Sequence, residues 1–99
     1  MQSKPIQKPV RWLGIALADM HGIAGYLAEQ DAEAATRVAQ RIWDAGQSLA
    51  TMPSRGRAGR VTGTRELVLT EFPYFLAYRV VRDDVQILRV LHTARRYPQ

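Results

Sequence analysis

Cysteine is absent from this 99-residue chain. Neither a disulfide framework nor a thiolate site can therefore exist. Lysine is confined to Lys4 and Lys8, so the second half has none. Histidine occurs only as His21 and His92, far apart in the sequence and without a cluster of ligand-type neighbours. A metal site is not expected from that pattern, and neither is a cofactor. No GxxxxGK[ST] loop is present to cradle nucleotide phosphates. Near the N-terminus, no apolar run reaches signal-peptide or membrane-span length before a charge interrupts it. The chain reads as soluble and cytoplasmic, with no membrane partner.

What is present suits one compact domain over residues 1–99. Hydrophobic residues make up 46% of the chain, a globular rather than a disordered composition. The formal net charge is +5 and lies entirely in the second half. Through residue 54 the charges cancel, five basic against five acidic. From Arg55 onward, nine arginines stand against Glu66, Glu71, Asp83 and Asp84. Arginine offers carboxylate and phosphate a planar fork that lysine lacks. An acidic partner follows, either nucleic acid or an acidic protein segment. The plainer alternative is that the arginines reflect genome base content and solvated strand edges.

The periodicities give the fold class, α+β. A helical hairpin packs on a small antiparallel sheet in the order β-α-α-β-β-β. Residues 1–9 read as a loose segment, and Val10–Leu13 as a short first strand. Leu13, Leu17, Met20, Ala24 and Leu27 mark the buried stripe of a helix over about residues 15–29, widened by Ile23 and Tyr26. Its glycines Gly14, Gly22 and Gly25 suggest close packing against a neighbour. Asp31 suits the N-cap of a second helix over about residues 32–50, with Ala35, Val38, Ile42, Ala45 and Leu49 inward. Trp12 and Trp43 read as core anchors. Pro53 to Gly63 is a basic Gly/Arg loop.

Three strands follow, near 64–70, 74–82 and 85–91. With Asp83 and Asp84 as the central turn pair, Tyr78 faces Arg89 and Leu76 faces Leu91. Pairing Thr70 with Tyr74 sets Leu67 and Leu69 beside Ala77 and Phe75 as the face for the helices. Glu66, Tyr78 and Arg89 then form a cross-strand row on the other face. His92 ends its strand on the Phe75 side. A slip of one residue in the first turn would exchange the two faces.

Gly63-Thr64-Arg65-Glu66-Leu67, Tyr78-Arg79-Val80 and His92-Thr93-Ala94-Arg95-Arg96 follow the helical hairpin in this order. Together they resemble the ParE/RelE superfamily, the toxin halves of type II toxin–antitoxin pairs. The resemblance covers nearly the whole chain. The ending, ARR followed by an aromatic and Pro98, is closer to the ParE branch.

The resemblance implies a small acidic antitoxin as partner, in a toxin–antitoxin hetero-oligomer. It also implies one of two targets. ParE-like members poison DNA gyrase and do no chemistry of their own. RelE-like members are ribosome-dependent, metal-independent mRNA endonucleases. Many of the latter carry an arginine three residues before the tyrosine of the LVYxV-type motif, where this chain has Phe75. The expectation is therefore a gyrase-directed binding toxin, with the nuclease as the alternative and a degenerate or regulatory partner as a third class. Arg55, Arg57, Arg60, Arg65, Arg95, Arg96 and Tyr97 are the expected target-binding residues. Tyr78, Arg79 and Arg89 are expected to meet the antitoxin. If the chain is a nuclease, the catalytic candidates are Arg65, Arg79, His92, Arg95 and Tyr97.

Overall fold

A computed structural model describes residues 7–98. The elements are β1 (Val10–Trp12), α1 (Gly14–Ala28), α2 (Ala32–Ser48), β2 (Arg57–Ala58), β3 (Arg65–Val68), β4 (Tyr74–Val81) and β5 (Asp84–His92). The five strands form one sheet in the order β1-β5-β4-β3-β2. From β2 onward every pairing is antiparallel, but β1 lies parallel to β5 along its edge. The sheet is therefore mixed rather than purely antiparallel. A fifth, two-residue strand also forms inside the stretch expected to be loop.

The first six residues of the segment expected to be loose lie outside the described residues. Its end is held: Lys8 donates its backbone N–H to Ala50 O at 2.8 Å, and Pro9 O accepts from Val85 N at 2.9 Å.

Helix α2 follows its sequence pattern closely. Asp31 Oδ1 accepts from the backbone N–H of Glu33 at 3.0 Å and of Ala34 at 3.1 Å. Such a cap contributes about 1 kcal/mol. The whole expected stripe, Ala35, Val38, Ile42, Ala45 and Leu49, is buried.

Helix α1 departs from its pattern. Ala16 is its only fully buried residue, with Met20, Ile23 and Leu27 partly buried beside it. The stripe is turned from the expected one, and Tyr26 stands 63% exposed. The reason is that α1 is apolar nearly all round, so periodicity could not single out one face. A Cβ on Gly14, Gly22 or Gly25 would meet nothing within 4 Å, so these glycines do not mediate close packing.

The close approach is instead at Gly46 of α2, which lies against the Trp12 ring. Trp12 stacks on Trp43 at 5.0 Å, and its indole N–H donates to Gln47 Oε1 at 2.9 Å. Trp43 is not a core anchor, since it remains 40% exposed.

The sheet registers correct two expectations. Leu67 pairs with Leu76 and Glu66 with Ala77, a slip of one residue. The slip arises in the turn, where Leu69 N donates to Tyr74 O at 3.0 Å, leaving residues 70–73 as the loop. The faces are therefore exchanged. Tyr74, Leu76 and Tyr78 join Leu67 and Leu69 beneath the helices, and Phe75, Ala77 and Leu91 form a separate cluster on the opposite, open face.

The β4–β5 turn is centred on Arg82 and Asp83, with Arg82 at φ 54°, and Val81 pairs with Asp84. A bulge at Leu88 then shifts the register, so Tyr78 faces Ile87 while Ala77 faces Arg89. The expected row of Glu66, Tyr78 and Arg89 does not exist.

Replacing Gly46 with alanine sets two effects against each other. Alanine gains about 1 kcal/mol in helix propensity. Its methyl, however, would lie 2.7 Å from Trp12 Cη2, and the ring is held by its stacking on Trp43 and its hydrogen bond to Gln47. Overpacking costs about 1–3 kcal/mol, so Gly46→Ala is expected to destabilise the chain. Urea unfolding should show a lower midpoint with an unchanged slope.

Candidate functional site

The open sheet face is built by alternation along three strands: Glu66 from β3, Phe75 and Ala77 from β4, and Arg89 and Leu91 from β5. Two irregular segments cover its centre. After β5 the tail turns back across the face. Thr93 N donates to Pro73 O at 2.8 Å, Ala94 N donates to His92 Nδ1 at 3.0 Å, and Arg95 N donates to His92 O at 3.0 Å. That path lays the Tyr97 ring edge-on against Phe75, with centroids 5.9 Å apart. From the loop between β2 and β3, the Arg60 guanidinium sits 5.0 Å over the same Phe75 ring. Phe75 is left with 0% exposure.

Glu66 holds the loop in place. Its side chain is 1% exposed and accepts from Arg60 N at 3.0 Å. Arg57 and Arg60 both approach its carboxylate at 3.4 Å. The carboxylate is thus buried but paired, as a desolvated charge must be.

At the sheet edge, Arg89 is turned towards α1. Its Nε and a terminal nitrogen donate to the Asp19 carboxylate at 2.7 and 3.0 Å. Asp19 also accepts from Val90 N at 3.0 Å, satisfying the edge of β5 where β1 has ended. The hydrogen bonds that Arg89 donates to Asp19 hold its guanidinium above its ordinary pKa. Arg89, Leu91, Arg95, Arg96, Tyr97 and Pro98 line a cavity of about 270 Å³. Arg95 and Arg96 are exposed at its rim and, among the described residues, have no carboxylate partner.

The other expected site residues lie elsewhere. Tyr78 is fully buried and cannot present surface to an antitoxin. Its phenol donates to Pro53 O and accepts from Gly56 N, each at 2.8 Å. Burial raises the phenol's pKa, and the Gly56 N–H partly offsets this. Arg65 donates to Gly56 O at 2.8 Å and Ser54 O at 3.3 Å, pinning the same loop. Arg55 donates to Ser48 Oγ at 2.8 Å. Arg79 is exposed on the open face and donates to Gln86 Oε1 at 2.8 Å.

His92 lies on the helix side of the sheet rather than with Phe75. It pairs with Tyr74, whose ring it meets edge-on at 5.4 Å. Of the five catalytic candidates, only Arg95 and Tyr97 come together. Sequence reasoning placed Glu66 on the face away from the helices and named Arg60 only as a target-binding residue, and it missed Asp19 as a builder of this face. The register sets Glu66 and Arg89 on either side of Ala77, but nothing in it points to Asp19 on α1.

A second concave surface lies on the far side of the molecule. Between α1 and α2 runs a groove of about 670 Å³, lined mainly by Met20, Ala24, Ala28, Ala35, Ala39 and Trp43. Among the described residues, no helix is long and apolar enough to cross a membrane, and no three His, Asp or Glu side chains gather as a metal site would need.

The family described as "ParE toxin of type II toxin-antitoxin system, parDE" matches residues 10–97. A Sinorhizobium fredii protein named as a toxin, Y4kP, is 44% identical over 93 residues, covering 94% of this chain and 96% of that one. Toxin RelE2 of Caulobacter vibrioides is 42% identical over 86 residues, 87% of this chain and 96% of its own length. Among solved structures, a chain of the chromosomal ParDE system of P. aeruginosa superposes with a TM-score of 0.82 at 27% identity, covering 87% of this chain and 96% of that one. A chain of the RelBE2 toxin–antitoxin complex of Mycobacterium tuberculosis gives 0.67 at 25% identity, covering 95% and 100%.

Truncating Glu66 tests how the open face is held. Glu66→Ala removes the acceptor of Arg60 N and the shared partner of two guanidinium groups. The expected loss is about 1–3 kcal/mol, with faster amide exchange over residues 57–60. Glu66→Gln retains an acceptor for the backbone N–H and should lose less. Equal stability for Glu66→Ala and the parent would show that the loop is held some other way.

Proposed function

The chain belongs to the ParE toxin family of type II toxin–antitoxin systems, and from that premise we propose that it arrests growth in the cytoplasm by binding DNA gyrase. The observation that carries this reading is the closed centre of the open face. Metal-free cleavage of RNA has to stabilise charge on a pentacoordinate phosphate and move two protons, which needs several converging polar groups. Here the centre is Phe75, sealed by Tyr97 and Arg60. His92, the histidine offered as an acid–base candidate, is on the other side of the sheet.

The nuclease reading keeps one support, the neighbouring Arg95 and Tyr97 beside Arg89. Two assays separate the targets. Purified protein should increase gyrase-dependent cleaved DNA, and both deletion of Ala94–Gln99 and the exposed double substitution Arg95→Ala/Arg96→Ala should abolish the increase. Codon-positioned cuts in ribosome-bound mRNA, lost on Arg95→Ala, would replace the gyrase reading.

The antitoxin partner, named in both neighbouring systems, is assigned to the helical side. An acidic, amphipathic segment suits the groove between α1 and α2, whose walls are apolar and whose neighbouring surface carries Arg37 and Arg41. This moves the expected interface away from Arg79, Arg89 and the buried Tyr78. The exposed Ala28→Glu should weaken the complex tenfold or more, about 1.4 kcal/mol, by calorimetry. If Ala28→Glu is silent while charge reversal at Arg79 or Arg89 weakens the complex, the antitoxin lies on the open face instead.

A further inference from the structure

We propose that the cavity between β5 and the C-terminal tail is a phosphodiester site. It would take one backbone phosphate of a nucleic acid between Arg89, Arg95 and Arg96, without cleaving it. The site has a fixed wall and a variable rim. Arg89 is held by two hydrogen bonds to Asp19, and Asp19 in turn is fixed by Val90 N. Tyr97 is fixed by its packing on Phe75. Arg95 and Arg96 leave a tail whose backbone is tied to Pro73 and His92, so both guanidinium groups are presented at one mouth. Guanidinium forks at such a mouth match the paired oxygens of a phosphate.

Size and lining narrow the ligand. A cavity of about 270 Å³ falls just below the ~300–1,000 Å³ of small-molecule sites, which disfavours a whole nucleotide cofactor. An acidic amphipathic helix would need an apolar trough, and here the only apolar side chains are Leu91, Tyr97 and Pro98. That trough exists on the opposite side of the molecule, between the two helices. On the open face, guanidinium groups also lie past Tyr97 at Arg60 and Arg57, which share the single Glu66 carboxylate and leave one positive charge in excess. Such a run of cations along a surface follows a polymer of phosphates rather than a single anion.

The inference rests on the tail being the target-facing surface, but its test needs neither gyrase nor ribosome. The full-length chain is titrated by fluorescence anisotropy into a labelled 20-base-pair DNA duplex and into a single-stranded RNA of equal charge, at several salt concentrations. Affinity should fall with salt, by close to one logarithmic unit per phosphate neutralised for each tenfold rise. Arg95→Ala/Arg96→Ala, with its fold checked by circular dichroism, should lose tenfold or more in affinity and reduce the salt slope by roughly one, as expected for one phosphate. Binding of both polymers, or of the duplex alone, supports the site and names the phosphodiester or the DNA backbone as its ligand. Binding of the RNA alone supports the site and transfers it to the ribosomal reading. A salt slope near zero, an unchanged slope in the double variant, or binding of polyglutamate with neither nucleic acid bound overturns it. If the parent chain binds neither nucleic acid yet still increases gyrase-dependent cleavage, this site is overturned while the gyrase proposal stands.

Discussion

Strand β4 is apolar on both faces, and most of the chain serves to cover it. Five consecutive residues, Tyr74 to Tyr78, are buried. A strand in that position must have a layer above and a layer below, since an uncovered Phe or Leu forgoes about 1.5–3 kcal/mol of burial. The helical hairpin supplies one layer through the stripe of α2 and the turned stripe of α1. The other layer is not a regular element. It is Tyr97 from the tail and Arg60 from the loop, both set on Phe75. An arginine can cover a ring because its guanidinium plane is weakly hydrated and attracted to the π face.

This way of covering the sheet decides what becomes of the positive charge. Arg57 and Arg60 are drawn to Glu66, Arg89 to Asp19, Arg41 to Glu71 and Arg11 to Asp84. Arg41, with the Thr70 hydroxyl, lowers the Glu71 carboxyl to about 2. These groups therefore contribute to architecture more than to the external field. Among the described residues, Arg95 and Arg96 beside the tail cavity are exposed and have no carboxylate partner of their own, so they are left for a partner. The second-half excess read from composition is real, but most of those arginines have local employment as loop pins and ring covers.

How far the sequence could be read depended on how much each signal was local. The Asp31 cap and the α2 stripe are set by neighbours within a turn or two, and both appear as expected. Helix α1 exists where its pattern says, but with apolar residues on every side its orientation is chosen by tertiary packing. The strands were legible and their pairing was not. Leu67 to Leu69 and Tyr74 to Tyr78 are apolar enough for either face to serve as core, so one residue in the turn at 70–73 settled the matter. The bulge at Leu88 leaves no mark in composition, yet it sends Arg89 to the open face beside Ala77. Asp19 was unreadable as a site residue because its partner Arg89 is 70 residues away.

The same register explains why covering and chemistry compete on the open face. The residue at position 75 stands at the centre of that face, opposite Val68 on one side and Leu91 on the other. A cation there would be well placed to meet a phosphate, but it would leave Ala77, Leu91 and Tyr97 without their common packing partner. A phenylalanine there completes the cluster and removes the cation. The chain has taken the second course, and a displaced charge, Arg60, lies over the ring instead of reaching into the centre. The cations that remain accessible are consequently peripheral, on the tail and at the edge of β5. Such an arrangement suits gripping a charged surface, because binding needs charge spread over an area. Catalysis would need charge gathered at one atom, and the centre of this face is occupied by Phe75 rather than by a cation.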